Sequence, residues 1–218
     1  MEGVAALLAT PPLSATLNTE HAEALSRLKV SPEAAHSVES IFHPVIVTGA
    51  GLRTIRIPIG LHYAIELFDH SLSEGRLWGR ERSVALRREH VYFRAPTAAS
   101  LLAAPARLVW QVTGDKRHGG GTLRGWSLLD ETVVGDVDQL ISRFSHLGVL
   151  NREEILQMAK SGRVMALRFS HTAVFRRPVT LAEYGEVMAE LQPGSGMSHM
   201  GPQPMTEQLF VRLASTAA

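Results

Sequence analysis

The sequence predicts an α+β domain: a small β-barrel decorated with short helices and preceded by an N-terminal helical segment. Three observations lead there. Six or seven runs of β-branched, aromatic and aliphatic residues have strand character. Short capped helices fall between some of them, so the two types are mixed rather than strictly alternating. Turn signals rich in Gly and Pro separate the runs, which suits a short-stranded sheet curled on itself.

The totals fit one large domain, or one of about 150 residues with a smaller appendage. The chain has 218 residues, 45% hydrophobic and 20% charged, which supplies a sizeable core. Its formal charge is +1, which points neither toward nor away from nucleic acid. The bases are skewed, with 19 Arg against 3 Lys. Arg suits bidentate phosphate recognition and stacking on bases, and codon usage in a GC-rich genome produces the same skew. Cysteine is absent, which excludes disulfides, thiolate metal sites and Cys nucleophiles. The N-terminus MEGVAALLATPPLS has no basic region before its apolar run, and no segment reaches the roughly 18 apolar residues of a spanning helix. The expectation is a soluble, cytoplasmic protein with no membrane partner.

Residues 1–19 read as an arm. A helix is expected from Thr19, with Ala22, Leu25 and Leu28 on one face. Ser31-Pro32-Glu33 starts a second helix, with Ser at the cap, Pro in the first turn and Val38, Ile41 and Phe42 inward. Pro44 ends it. A soft boundary near His43 separates this N-terminal segment (1–43) from the barrel (44–218). PVIVTGAG (44–51) reads as a buried strand. Its glycines do not make a dinucleotide loop, because a third Gly and a following helix are missing. LRTIRIPI is a second strand and LHYAIELFDH a short helix. HVYFRAP is a strand, followed by a short Ala/Leu helix and the strand ARLVWQVTG. GDKRHGGG is a turn, and TLRGWSLLDETVV is a strand or bent pair. Asp136 caps VDQLISRF. Asn151 caps REEILQMAK, with Glu153 and Glu154 favoured near its positive end and Gly162 as the stop. RVMALRFS and AVFRRPVT read as two strands joined by a tight corner. LAEYGEVMAEL is a helix, and EQLFVRL is a closing strand or a short helix.

HVYFRAP, ARLVWQV, LGVLNREEILQMAKSGRVMALRF and FRRPVTLAEY, in that order, resemble the succession of elements in ASCH and related PUA-like domains. The closing GPQPMTEQLFVRL is similar to the tails of such domains. The resemblance covers about residues 53–214. It implies a PUA-like barrel and an association with nucleic acid, chiefly RNA; some ASCH proteins are instead amidohydrolases or nucleases. The chain departs from the family at its charged hallmark, Gly-x-Lys-x-x-Glu-x-Arg. Counting from Gly75, Leu77 and Arg80 stand at the Lys and Glu positions and only Arg82 matches. Counting from Gly79, Glu81, Val84 and Leu86 match nothing. No catalytic residue is therefore carried over.

The strongest local feature is Arg76, Arg80, Arg82, Arg87, Arg88 and Arg94 set against Glu81 and Glu89. Tyr92 beside them, if surface-facing, could stack on a base. Arg163, Arg168, Arg176 and Arg177 follow on later strands. The expected nucleic-acid-binding set is Arg80, Arg82, Arg87, Arg88, Tyr92, Arg94, Arg168 and Arg176, gathered in one basic groove. The plainer reading is separate solvated faces with Arg stems packed on the sheet. The ten His show no metal spacing, so no metal or cofactor is expected. His62 and Glu66 are one helical turn apart and read as a surface pair. Ser145-His146 and Ser170-His171 are sequence neighbours, which does not establish a nucleophile–base geometry. Asp130-Glu131 reads as a solvated acidic pair. Among Trp78, Trp110 and Trp126, Trp110 reads as core. A helix–turn–helix over 136–161 is disfavoured by Glu153 and Glu154 at the start of its second helix. The expected function is an RNA- or modified-nucleotide-binding module with no evident catalytic site. The alternatives are a regulatory domain docking a protein partner through residues 19–43, and a hydrolase acting on nucleic acid or nucleoside derivatives.

Overall fold

The computed structural model describes residues 30–72, 88–115, 119–196 and 201–217. The expected helix from Thr19 lies outside them, as do Arg80, Arg82 and Arg87. The described residues form six strands, β1 (Arg53–Gly60), β2 (Glu89–Arg94), β3 (Ala106–Thr113), β4 (Thr122–Asp136), β5 (Arg163–Thr180) and β6 (Gln203–Met205). Six α-helices accompany them: α1 (Pro32–Phe42), α2 (Leu61–Leu67), α3 (Val137–Phe144), α4 (Arg152–Met158), α5 (Leu181–Leu191) and α6 (Glu207–Ala217).

The strands make one sheet in the order β2-β5-β4-β3-β1-β6. β1 and β3 run parallel, from Arg53 beside Ala106 to Gly60 beside Thr113, and the other neighbours are antiparallel. β2 and β6 do not pair with each other, so the sheet stays open, where a closed barrel was expected. β4 and β5, the two longest strands, are paired from Thr122–Thr180 to Asp136–Arg163 with three register shifts.

The helix caps follow the residues expected to make them. Ser31 Oγ accepts from the Ala34 amide at 3.2 Å, and Asp136 accepts from Asp138 and Gln139. Asn151 with Glu154, and Thr180 with Glu183, form reciprocal capping boxes. Several expectations need correction. Residues 44–51 form no strand: Val47 is held by side chains instead, its amide donating to Glu39 Oε1 (2.7 Å) and its carbonyl accepting from Arg107 Nη2 (2.6 Å). The Ala/Leu stretch after β2 is a series of turns. α4 ends at Met158, before Gly162; Gly162 and Ser161 (φ 72° and 51°) are the two central residues of a tight turn closed by Lys160 and Arg163. The expected strand pair 163–180 is a single strand, and the C-terminal segment is a helix.

One face of the sheet packs Ile55, Ile57, Ile59, Trp110, Leu167 and Phe169 under α2. The opposite face carries two clusters. Trp126, Leu128, Tyr184 and Phe210 pack beneath α5 and α6, and Val91, Phe93, Phe144 and Ile155 beneath α3 and α4. α1 is tied to this frame by Glu39 and Arg107, both completely buried, with Arg107 also 5.2 Å from the Phe210 ring centroid. Among the described residues, no helix is long and apolar enough to cross a membrane.

Candidate functional site

A change of register in β5 creates the site. Ala173 faces Trp126 and Ser170 faces Leu128, so His171 and Thr172 together stand opposite Ser127 alone. Two residues against one is a β-bulge, which bends a strand and re-aims its side chains. His171 accordingly has a positive φ of 51°. The bulge sits where β2 gives out, since Glu89 pairs with Ser170 at the beginning of β2.

Around it opens a cleft of about 480 Å³, lined by His43, Phe68, His70, Arg88, His90, His171 and Thr172, with Ser40, Ile41 and Leu67. That volume is within the usual range for small-molecule sites. Aromatic rings form its base. Phe68 stacks on Trp110 with centroids 5.4 Å apart, Trp110 meets Phe169 at 4.8 Å, and Phe169 meets His90 at 5.6 Å. On the other side His43 rests on Trp126 at 4.7 Å and lies 5.6 Å from the His171 ring. Arg88 is exposed at the rim.

Each polar group has a local cause for its orientation. Ser170 Oγ lies 2.8 Å from His171 Nδ1. Ser170 is buried and is not part of the cleft lining, so it positions the ring rather than serving as a nucleophile. His70 Nδ1 lies 2.7 Å from the Ile65 carbonyl, which can only accept, so the proton is on that nitrogen. Buried Asp69 takes Arg124 Nε at 2.6 Å and the Ser71 hydroxyl at 2.5 Å, which pins the turn carrying Phe68 and His70 to β4. Trp110 Nε1 donates to Ser127 Oγ at 2.7 Å, and Ser127 Oγ lies 2.7 Å from Thr172 Oγ1.

Burial, and secondarily the nearness of His171, lower the His43 pKa to about 4. Its Nε2 is buried with no hydrogen-bond partner among the described residues. His43 is thus neutral at pH 7 in the folded state, while the unfolded chain takes up its proton near pH 6.5. Stability contributed by the neutral form is present above pH 6.5 and is lost as pH falls toward 4. The expected loss across that window is about 1–3 kcal/mol. Chemical unfolding at pH 7 and pH 4.5 checks it: His43→Phe should lose less stability than the wild type between the two. Equal losses would show that His43 is not the buried neutral group.

Of the expected set, the described members Arg88, Tyr92, Arg94, Arg168 and Arg176 do not share one groove. Tyr92 is 9% exposed and meets Trp110 edge-on at 6.0 Å, so its ring is core, not a surface platform. Burial raises its pKa and lowers that of Arg94, whose Nε and Nη1 are buried without hydrogen-bond partners among the described residues. Arg168 projects from the other face, beside Val91, and is engaged by Glu89 (3.0 Å) and Glu131 (3.3 Å). Arg176 is exposed. Arg177 pairs with Glu183 at 2.5 Å, and that bond, helped by Thr180, holds the Glu183 carboxyl down at about 2. Among the described members of the set, Arg88 alone lines the cleft. Asp130 and Glu131 are not a free acidic pair: Asp130 lies 3.4 Å from His36, and Glu131 takes Arg143 and Arg168. His62 and Glu66 form the expected surface pair at 3.3 Å. The four cleft histidines come from positions 43, 70, 90 and 171, so no spacing rule finds them; the local signal was Ser-His-Thr between the strand-like halves of 163–180. Among the described residues, no three His, Asp or Glu are grouped to hold a metal ion.

This fold, an open mixed sheet with helices on both faces, is shared with solved ASCH structures. No family model matches the sequence, and no curated protein matches it. The likeness is to solved structures. The ASCH protein of Zymomonas mobilis is similar over 76% of this chain and 96% of its own, at 18% identity and a TM-score of 0.51. A single-site variant of it is similar over 76% and 99%, at 18% identity and a TM-score of 0.52. Human THYN1, solved in complex with DNA containing 5-methylcytosine, lies further off, at 13% identity over 76% of this chain and 97% of its own, with a TM-score of 0.46.

Proposed function

We propose that the chain is a nucleic-acid-binding module that receives one nucleotide, of RNA or with a modified base, in the cleft at the β5 bulge. The observation that carries this reading is the lining itself. Phe68 and His90 offer a planar heterocycle an aromatic surface, Thr172 and the histidines offer hydrogen bonds, and Arg88 at the rim offers a cation to phosphate. The site needs no catalytic group for this role.

A fluorescent single-stranded RNA is the test, with duplex DNA as control. Raising salt from about 50 to 200 mM is expected to weaken RNA binding about tenfold, as release of ions from two or three phosphate contacts requires. Arg88→Glu should weaken binding at low salt and flatten that dependence. Absence of RNA binding at both salts would overturn the proposal. A second reading, docking of a protein partner through residues 19–43, draws on Ile41 and Phe42, which are 73% and 53% exposed at the end of α1. It predicts binding that ignores Arg88.

A further inference from the structure

We infer that Thr172 is the specificity-determining hydrogen-bond donor of the cleft, its proton aimed at an oxygen acceptor of the ligand by a chain that starts at Trp110. This deepens the nucleotide reading and rests on it. A hydroxyl ordinarily rotates and serves as donor or acceptor at will. Here the choice is removed step by step. An indole N–H can only donate, and Trp110, with no exposed surface, gives its proton to Ser127 Oγ at 2.7 Å. Ser127 is equally buried, and its other hydrogen-bond partner among the described residues is Thr172 Oγ1 at 2.7 Å.

Ser127 cannot return a proton to the indole, which has no free lone pair in the ring plane. Its own proton therefore goes to Thr172. The reverse order, Thr172 donating to Ser127, would leave a buried hydroxyl proton without an acceptor and be less populated by about one to two powers of ten. With its oxygen accepting from Ser127, Thr172 has its proton left for the cleft that it lines. The bulge makes this possible, because it sets Thr172 and Ser127 across from each other at one of the three places where the two strands are out of step. A ligand presenting a carbonyl or phosphoryl oxygen there completes the chain. A ligand presenting an amino group meets a proton.

Three probes separate the sources of that oxygen: uridine, inorganic phosphate, and uridine monophosphate, which carries both. The reporter is the Trp110 indole N–H resonance in an NMR titration of the full chain, assigned by its loss in Trp110→Phe. Binding of a probe is expected to shift it. Thr172→Val should weaken that probe about 10- to 30-fold, and Thr172→Ser should restore binding to within about threefold. A response to uridine places a base carbonyl at Thr172, and a response to phosphate alone places a phosphoryl oxygen there. Unchanged affinity in Thr172→Val, or an indole signal that stays still while a probe binds, overturns the inference and leaves the nucleotide reading standing. Failure of the wild type to bind RNA and all three probes overturns the nucleotide reading itself.

Discussion

Replacing Glu39 with Ala is expected to lower the unfolding free energy by about 3–5 kcal/mol, the range for removing one partner of a buried ion pair. The guanidinium of Arg107 would stay in a dry site with its counter-charge gone. Glu39 accepts from Arg107 Nε at 3.0–3.1 Å and also closely from Nη2, and both side chains are inaccessible to solvent. The loss reaches beyond the pair, because Glu39 also takes the Val47 amide. Glu39→Gln keeps the acceptor and drops the charge, and should fall between the wild type and Glu39→Ala. Replacing Glu39 and Arg107 together by Leu and Met removes the stranded charge but leaves both backbone groups of Val47 unpaired. It should therefore cost less than Glu39→Ala without reaching neutrality. Urea unfolding with an unchanged slope and a shifted midpoint is the measurement. A Glu39→Ala loss under about 1 kcal/mol would mean that water reaches the pair.

Trp110→Ala should be of similar size, about 3–5 kcal/mol, because it removes the largest fully buried side chain from the core. Its ring touches Phe68, Tyr92 and Phe169 at once. The void would lie under the cleft, so ligand binding should fail together with stability. Trp110→Phe retains most of the packing but removes the N–H that Ser127 accepts, and about 1–2 kcal/mol is expected. Thermal unfolding followed by circular dichroism would show both. If the two variants cost the same, the hydrogen bond rather than the packed ring volume is what Trp110 supplies.

Much of the fold was legible because local chemistry specifies it. Ser31, Asp136 and Asn151 announce their helices by offering an oxygen to otherwise unpaired amides. The runs 53–60, 89–94 and 106–113 alternate or saturate with apolar residues as strands do. What failed depended on distant partners. Residues 44–51 look like a strand, yet the groups that satisfy Val47 are side chains 8 and 60 positions away. Arg168 looks available for phosphate until Glu89 and Glu131, 79 and 37 positions away, are brought against it. Tyr92 sits in a stretch rich in charge and reads as surface, but strand parity turns it toward Trp110. The open sheet could not be foreseen, because closure requires the two edge strands β2 and β6 to pair, and local sequence does not say which edges meet. The cleft was invisible because its histidines are scattered, and the bulge, the turn at 68–70, β2 and the end of α1 bring them together only in the folded chain.

The bulge also sets what kinds of sequence change this chain can absorb. Ala173 and Phe175 lie just beyond it and pack into the cluster under α5 and α6. A one-residue deletion at 171–172 would turn this two-against-one step into a regular ladder, with Ala173 still opposite Trp126 and both side chains on their present face. Phe175 would keep its cluster, and the loss would fall on the pair of side chains, His171 and Thr172, that the bulge brings to the cleft. Substitutions at 171 and 172 likewise leave the clusters that hold the sheet intact, since neither side chain belongs to them. Related chains should therefore be free to differ in which residues stand at the bulge, and even to lose it, so that ligand preference could drift among them with the scaffold intact.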